Sequence, residues 1–166
     1  MRQLCMYCAM PLEGDEPASE EVSHGLCPEC YPRFVAGTGK PAQEFLDSLP
    51  FPVFVINDEQ MLVGANCHAR AMAATEFDEE SPALGGVVFQ CVHAMKPGGC
   101  GRTVHCKTCT IRNSVVETAM TGMAKRHVEA FMDLGDVTGA THVRFVVTTE
   151  KIGDAVLLTV EDAQPR

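Results

Sequence analysis

Eight of the nine cysteines fall into two sets of four, and their spacing is the strongest chemical signal in the chain. Cys5-x2-Cys8 and Cys27-x2-Cys30 form two CxxC knuckles separated by eighteen residues. Each knuckle offers two thiolates from one tight turn, the donor set of a tetrahedral, structural Zn²⁺ site. Ligation would supply the folding free energy that so small a segment cannot draw from apolar burial. The second set is Cys91-x8-Cys100-x5-Cys106-x2-Cys109, interleaved with Pro97-Gly98-Gly99-Cys100-Gly101. Glycines there let the backbone take positive φ and close around a bulky group.

Three chemistries fit the second quartet. Four thiolates can hold a [4Fe-4S] cluster, the same four can hold a second zinc ion, and Cys106-Lys107-Thr108-Cys109 can act without metal as a thiol-disulfide switch. Covalent c-type haem is disfavoured because Thr110, not His, follows Cys109. Residues 91 to 130 carry Lys96, Arg102, Lys107, Arg112, Lys125 and Arg126 against Glu117 and Glu129. Such local positive charge would offset the charge of clustered thiolates. His93, His105 and Arg112 stand close enough in sequence to serve as hydrogen-bonding neighbours of the ligands. Cys67 stands alone and reads as a small buried hydrophobe, and the methionines, Met120, Met123 and Met132 among them, as core filling.

The elements that must position these residues change character along the chain. Residues 1 to 40 are rich in Pro and Gly, with an acidic stretch from Glu13 to Glu21, and hold little that could form a core. Gly37 to Pro41 reads as a linker; the Gly39-Lys40 pair is no phosphate-binding loop, since position 34 is Phe where that motif needs Gly. Beyond it the spacing predicts a helix over Pro41 to Leu49, strands at Val53 to Ile56 and Met61 to Val63, and a helix to about Ala74 capped by Asn66. Between Glu76 and Gly101 prolines and glycines break the periodicity, and irregular loops with short helical turns are expected. A helix over Ile111 to Met120 follows, then strands at His127 to Leu134, His142 to Thr149 and Ala155 to Glu161, the last two joined by a turn over Glu150 to Asp154. The expectation is an α+β fold: a five-stranded antiparallel sheet with short helices on one face, residues 41–166, behind a small metal-held module, residues 1–40.

Composition bounds the function. With 166 residues, 46% hydrophobic and 21% charged, the chain has material for one ordinary core and a small satellite module. The apolar runs are too short to cross a bilayer, and the N-terminus lacks a signal peptide's apolar stretch, so a cytoplasmic protein without a membrane partner is expected. A net charge of -9 opposes direct nucleic-acid binding.

The segment Leu49-Pro50-Phe51-Pro52-Val53-Phe54-Val55-Ile56-Asn57, followed by Met61-Leu62-Val63-Gly64-Ala65-Asn66, resembles the opening of a PAS domain, in which the second strand leads through an Asn into the first short helix. Val143-Arg144-Phe145-Val146-Val147 with Val156 to Asp162 is similar to the last two PAS strands. The resemblance covers roughly residues 44 to 163. It implies a signal-sensing or interaction module that holds a ligand or cofactor between sheet and helices, with the Cys-rich insert 91–109 where PAS cofactors sit. That insert resembles the cysteine-bearing PAS domains of some bacterial oxygen and redox sensors, with different spacing. Ser23-His24-Gly25-Leu26-Cys27-Pro28-Glu29-Cys30 is similar to a zinc-ribbon-like element of some bacterial signalling proteins.

The expected function is therefore that of a regulatory sensor in which a Cys-ligated metal centre, an iron-sulfur cluster, reports redox state or oxygen to a partner. A zinc-stabilised interaction adaptor with two structural zinc sites and a metal-free redox switch are the alternatives. No acid/base carboxylate pair, nucleophile elbow or HExxH motif is present, so no enzymatic activity is expected. The resemblance further implies a protein partner such as a kinase or another PAS domain, and a homodimer.

Overall fold

The structure, a computed structural model, describes residues 2–5, 8–12, 22–25, 27, 30, 40–76, 80–136 and 139–165. The chain forms two compact units, Met1–Pro50 and Phe51–Arg166. In the first, strand β1 (Arg2–Cys5) pairs in parallel with β2 (Val22–Gly25), in register from Arg2 opposite Val22 to Cys5 opposite Gly25. Helix α1 (Lys40–Asp47) also belongs to this unit, although the sequence reading assigns it to the second; Phe45, Leu46 and Leu49 are buried. The Gly37 to Gly39 part of the expected linker and the acidic stretch 13–21 lie outside the described residues.

The second unit is a mixed α/β structure built on one antiparallel sheet. Val53–Ile56 (β3) and Met61–Ala65 (β4) form where β-branched and aromatic side chains favour a pleated surface. The Asn57 side chain closes the turn between them by accepting from Met61 N at 2.8 Å. Helix α2 (Cys67–Met72) is capped by Asn66, as its residue type predicts. Two short elements fill the stretch expected to be irregular: strand β5 (Ala83–Leu84) and the single helical turn α3 (Gly85–Val88). A 3₁₀ turn, Val104–Thr108, leads into α4 (Thr110–Thr121), which ends at Gly122 with φ +73°. Three long strands close the chain, β6 (Lys125–Asp136), β7 (Gly139–Ile152) and β8 (Ala155–Pro165).

The strand order is β5-β4-β3-β8-β7-β6. The sheet thus has six strands rather than the expected five, because Ala83 and Leu84 pair with Leu62 and Met61. So short a strand carries no alternation that a sequence reading could detect. The turn between β7 and β8 is tighter than expected: pairing continues to Ile152 opposite Ala155, and Gly153 takes φ +58°. One sheet face, with Phe54, Phe145, Val147 and Leu158, joins Ala69 of α2, Val88 of α3 and Val115 of α4 in a single apolar core. Phe89 extends that core by edge-to-face contact with Phe54 at 5.1 Å between ring centroids. Among the described residues no helix is long and apolar enough to cross a membrane.

Two expectations about single residues are corrected. Cys67 is exposed, because it opens α2 on the helix's solvent side. Met120 and Met123 are 81% and 62% exposed: the core-facing side of α4 is supplied by Ser114, Val115 and Thr118, so Met120 points away and Met123 lies beyond the helix end. Met132 does pack against the core.

Candidate metal centres

The first quartet is assembled by main-chain pairing. Register in the β1–β2 ladder sets Cys5 opposite Gly25, two residues before Cys27. Beyond Cys5 the chain folds straight back, with Ala9 N donating to Cys5 O and Cys5 N donating to Met10 O, both at 2.8 Å; this presents Cys8 beside Cys5. The second knuckle turns in the same way, Cys30 N donating to Cys27 O at 3.1 Å and to Cys27 Sγ at 3.4 Å. The sulfurs of Cys5, Cys8, Cys27 and Cys30 all lie within 4.8 Å of one another, and the four together could hold a metal ion. Cys5, Cys27 and Cys30 are buried and Cys8 is exposed.

The electrostatics of this cluster call for a cation. Burial, then the neighbouring thiols, pushes the Cys30 thiol well above its ordinary value. The Met10 backbone N–H favours the Cys8 thiolate, yet desolvation and the Cys5 and Cys27 thiols leave that group raised as well. Crowded thiols resist ionising because each new negative charge meets the others; a bound dication reverses that balance.

The second quartet is gathered differently. Cys91, Cys100, Cys106 and Cys109 all line one cavity of about 440 Å³ between the cysteine-bearing loops and the sheet. The tight sulfur packing of the first quartet is not repeated here: among the described residues, only the first meets the spacing for a single ion. Leu62, Phe145, Leu158 and Val160 of the sheet line the same cavity. Each cysteine comes from a separate local structure. Cys91 follows α3, Cys100 and Gly101 sit in a glycine-rich turn, Cys106 is in the 3₁₀ turn, and Cys109 is the N-terminal cap of α4.

Backbone N–H groups converge on three of the four sulfurs. His93 and Ala94 donate to Cys91, Gly86 to Cys100, and Gly101 to Cys106 at 3.1 Å. The Thr103 hydroxyl stands 3.2 Å from the Cys106 sulfur and favours its thiolate as well. Two glycines are needed for this geometry. A Cβ on Gly86 would stand 2.7 Å from Cys100 Sγ, and Gly101 adopts φ +85° with its α-carbon facing Arg112. Burial pushes the Cys91 and Cys100 thiols up, and the other cysteines of the quartet add to it. Burial acts on Cys106 in the same direction, but donation from Thr103 and Gly101 and the Arg112 charge outweigh it and hold this thiol below its ordinary value.

The three neighbours expected from the sequence are all on the cavity wall. His93 and His105 stack at 4.0 Å between centroids, nearly parallel. Burial, with His105 and Lys96 nearby, holds the His93 imidazole below its ordinary pKa, and its Nδ1 is buried without a hydrogen-bond partner. Sequence reasoning missed Asp133 and His142, which also line the cavity. Asp133 Oδ1 accepts from His142 Nδ1 at 2.6 Å, and Asp133 Oδ2 lies 3.8 Å from His93 Nε2. Both residues sit on long strands among alternating side chains, so nothing local marks them. Only the pairing of Asp133 with His142 across β6 and β7 brings them together.

Comparison with models of known protein families finds no match, and comparison with curated proteins finds none either.

Proposed function

We propose that this protein is a non-enzymatic, PAS-like sensor in which the second quartet holds a metal centre that reports redox state or oxygen to a protein partner. The observation that carries the reading is that four cysteines line one cavity, with backbone N–H groups aimed at three of the sulfurs. Donors of that kind stabilise thiolate ligands and set the potential of a thiolate-bound centre. An antiparallel sheet with short helices packed on one face, enclosing the cavity, agrees with the architecture that the PAS resemblance implies.

The two quartets suit different occupants. Cys8 Sγ and Cys27 Sγ are 3.7 Å apart, as are two thiolates on one tetrahedral ion with bonds of ~2.3 Å. Structural zinc is the proposed occupant there. The looser second quartet, facing a cavity far larger than an ion, suits an iron-sulfur cluster, which when bound supplies reversible one-electron chemistry and sensitivity to oxygen. The chain's own residues bind it through Cys91, Cys100, Cys106 and Cys109, offset its negative charge with Arg112, and shield it from water with the Phe145 and Leu158 wall. The output passes by contact to a partner such as a kinase, or within a homodimer, in the cytoplasm and without nucleic acid.

Elemental analysis and a visible spectrum of protein purified without oxygen test this. One zinc with iron, sulfide and a brown absorbance is the expected result. Two zinc ions and no colour would overturn the sensor centre and leave a zinc-held adaptor. A second reading, a metal-free thiol switch, is favoured by one observation, the Cys106 thiol lowered beside Cys109 in a CxxC pair. It predicts a metal-free second quartet in which mild oxidation joins Cys106 and Cys109 in a disulfide that a reductant reopens.

A further inference from the structure

We infer that residues Gln90 to Val92 form a strap that couples the second cysteine quartet to the outer edge of the sheet. The inference rests on the reading of that quartet as a metal centre. β6 is the last strand of the sheet, paired on one side with β7. On its other side the strap runs antiparallel to it: Gly135 N donates to Gln90 O and Val92 N donates to Asp133 O, both at 2.9 Å, with Cys91 bridged to Leu134. The first ligand of the quartet is thus also the middle residue of a strand-like contact with the sheet.

The attachment is short. It comprises two main-chain hydrogen bonds, and Gln90 enters it with φ +54°, a conformation unfavourable for a residue with a side chain. A side-chain latch adds to it, since Asp133 lies between His93 of the loop and His142 of β7. On the cavity side Cys91 N donates to Gly86 O at 2.7 Å, and Gly86 in turn packs against Cys100 Sγ. His93 stacks on His105, the residue before Cys106. Besides β6, the strap is anchored to α3, where Val87 O accepts from Gln90 N at 3.1 Å, and to the cysteine loops. A centre bound by all four sulfurs ties Cys91 to Cys100, Cys106 and Cys109 and makes those loops one body. Without it the strap keeps its turn out of α3 but meets β6 only through the two main-chain hydrogen bonds, and local opening of those two bonds becomes frequent.

Amide hydrogen exchange by NMR on the full metal-loaded chain and on Cys109→Ser tests the coupling, with metal per chain measured on the same samples. Cys109 caps α4 and, among the described residues, makes no hydrogen bond to the strap. Loss of metal in the variant should accelerate exchange of the Val92 and Gly135 amides by at least about tenfold, while the Val147 amide in central strand β7 changes by less than about twofold. Cys100→Ser serves the same purpose should Cys109→Ser fail to fold. Metal lost with Val92 and Gly135 unchanged overturns the strap alone, as does acceleration shared equally by Val147. A native chain holding only the first quartet's metal overturns the metal-centre reading, and the coupling with it.

Discussion

Gly86 and Asn66 show how much of this molecule depends on single atoms. Gly86 has room for no side chain, since its α-hydrogen faces Cys100 Sγ and its N–H donates to the same sulfur. Gly86→Ala forces Cys100 to shift. The expected outcome is that metal per chain falls by the second centre's share while far-UV circular dichroism is unchanged. Asn66 is fully buried and its side chain holds backbone groups on both sides: its Oδ1 accepts from Val53 N at 3.0 Å and Ala69 N at 2.9 Å, and its Nδ2 donates to Phe51 O at 2.6 Å. Asn66→Ala strands these backbone groups out of water and should cost about 3 kcal/mol in urea denaturation. Asn66→Asp keeps the two accepted bonds but sets a buried carboxylate oxygen against Phe51 O, so it should destabilise as well, and more so as pH rises and the carboxyl ionises. The cap was legible from residue type, because an Asn between a strand and an apolar helix is a known helix start. The two further bonds were not, since they reach thirteen and fifteen residues back along the chain.

Elements were legible where their periodicity is strong. Val53–Ile56 has the bounds its β-branched run predicts, and α4 begins one residue before the expected Ile111. What escaped the reading depends on distant partners. Ala83–Leu84 is a strand only because β4 accepts it, and the 3₁₀ turn at Val104–Thr108 owes its form to Thr103 and Gly101 donating to Cys106. Solvent exposure of Met120 follows from α4 facing the sheet with small polar residues. Thr118 is fully buried, donating to Met123 O at 3.1 Å and so accepting from the Thr149 hydroxyl at 2.7 Å. Thr118→Val leaves the buried Thr149 hydroxyl without that partner and should destabilise the second unit by about 1–2 kcal/mol, read by thermal or urea unfolding. At the far end of the β6–β7 hairpin, Gly135 adopts φ +128°, and a Cβ there would collide with the Gly139 carbonyl oxygen. Gly135→Ala should cost about 2 kcal/mol or more in the same measurement.

At the scale of the whole molecule, the division into two units separates two ways of holding a chain together. The second unit has an apolar core running from Phe54 to Val160, whereas the first brings four cysteines to one point. Cys5→Ser should accordingly remove one equivalent of metal and loosen the β1–β2 ladder, while the amides of β7 and β8 keep their protection from exchange. Equal loss of protection in both units would show that the first quartet also supports the sheet. The CxxC pairs announced the first centre because their ligands are close in sequence and paired in space. The cysteines of the second quartet were equally visible, but their meeting at one cavity depends on several separate turns, and the Asp133–His142 pair beside them depends on the pairing of β6 with β7.

The position of Gln90 to Val92 along β6 also bears on how copies of this chain behave toward one another. A terminal strand with bare carbonyl and N–H groups is a template on which a foreign strand can grow, and crowded protein solutions exploit such templates first. Here the Asp133 carbonyl and the Gly135 N–H are already occupied from within the same molecule. The loop that carries Cys91 therefore closes this stretch of the β6 edge to strand addition.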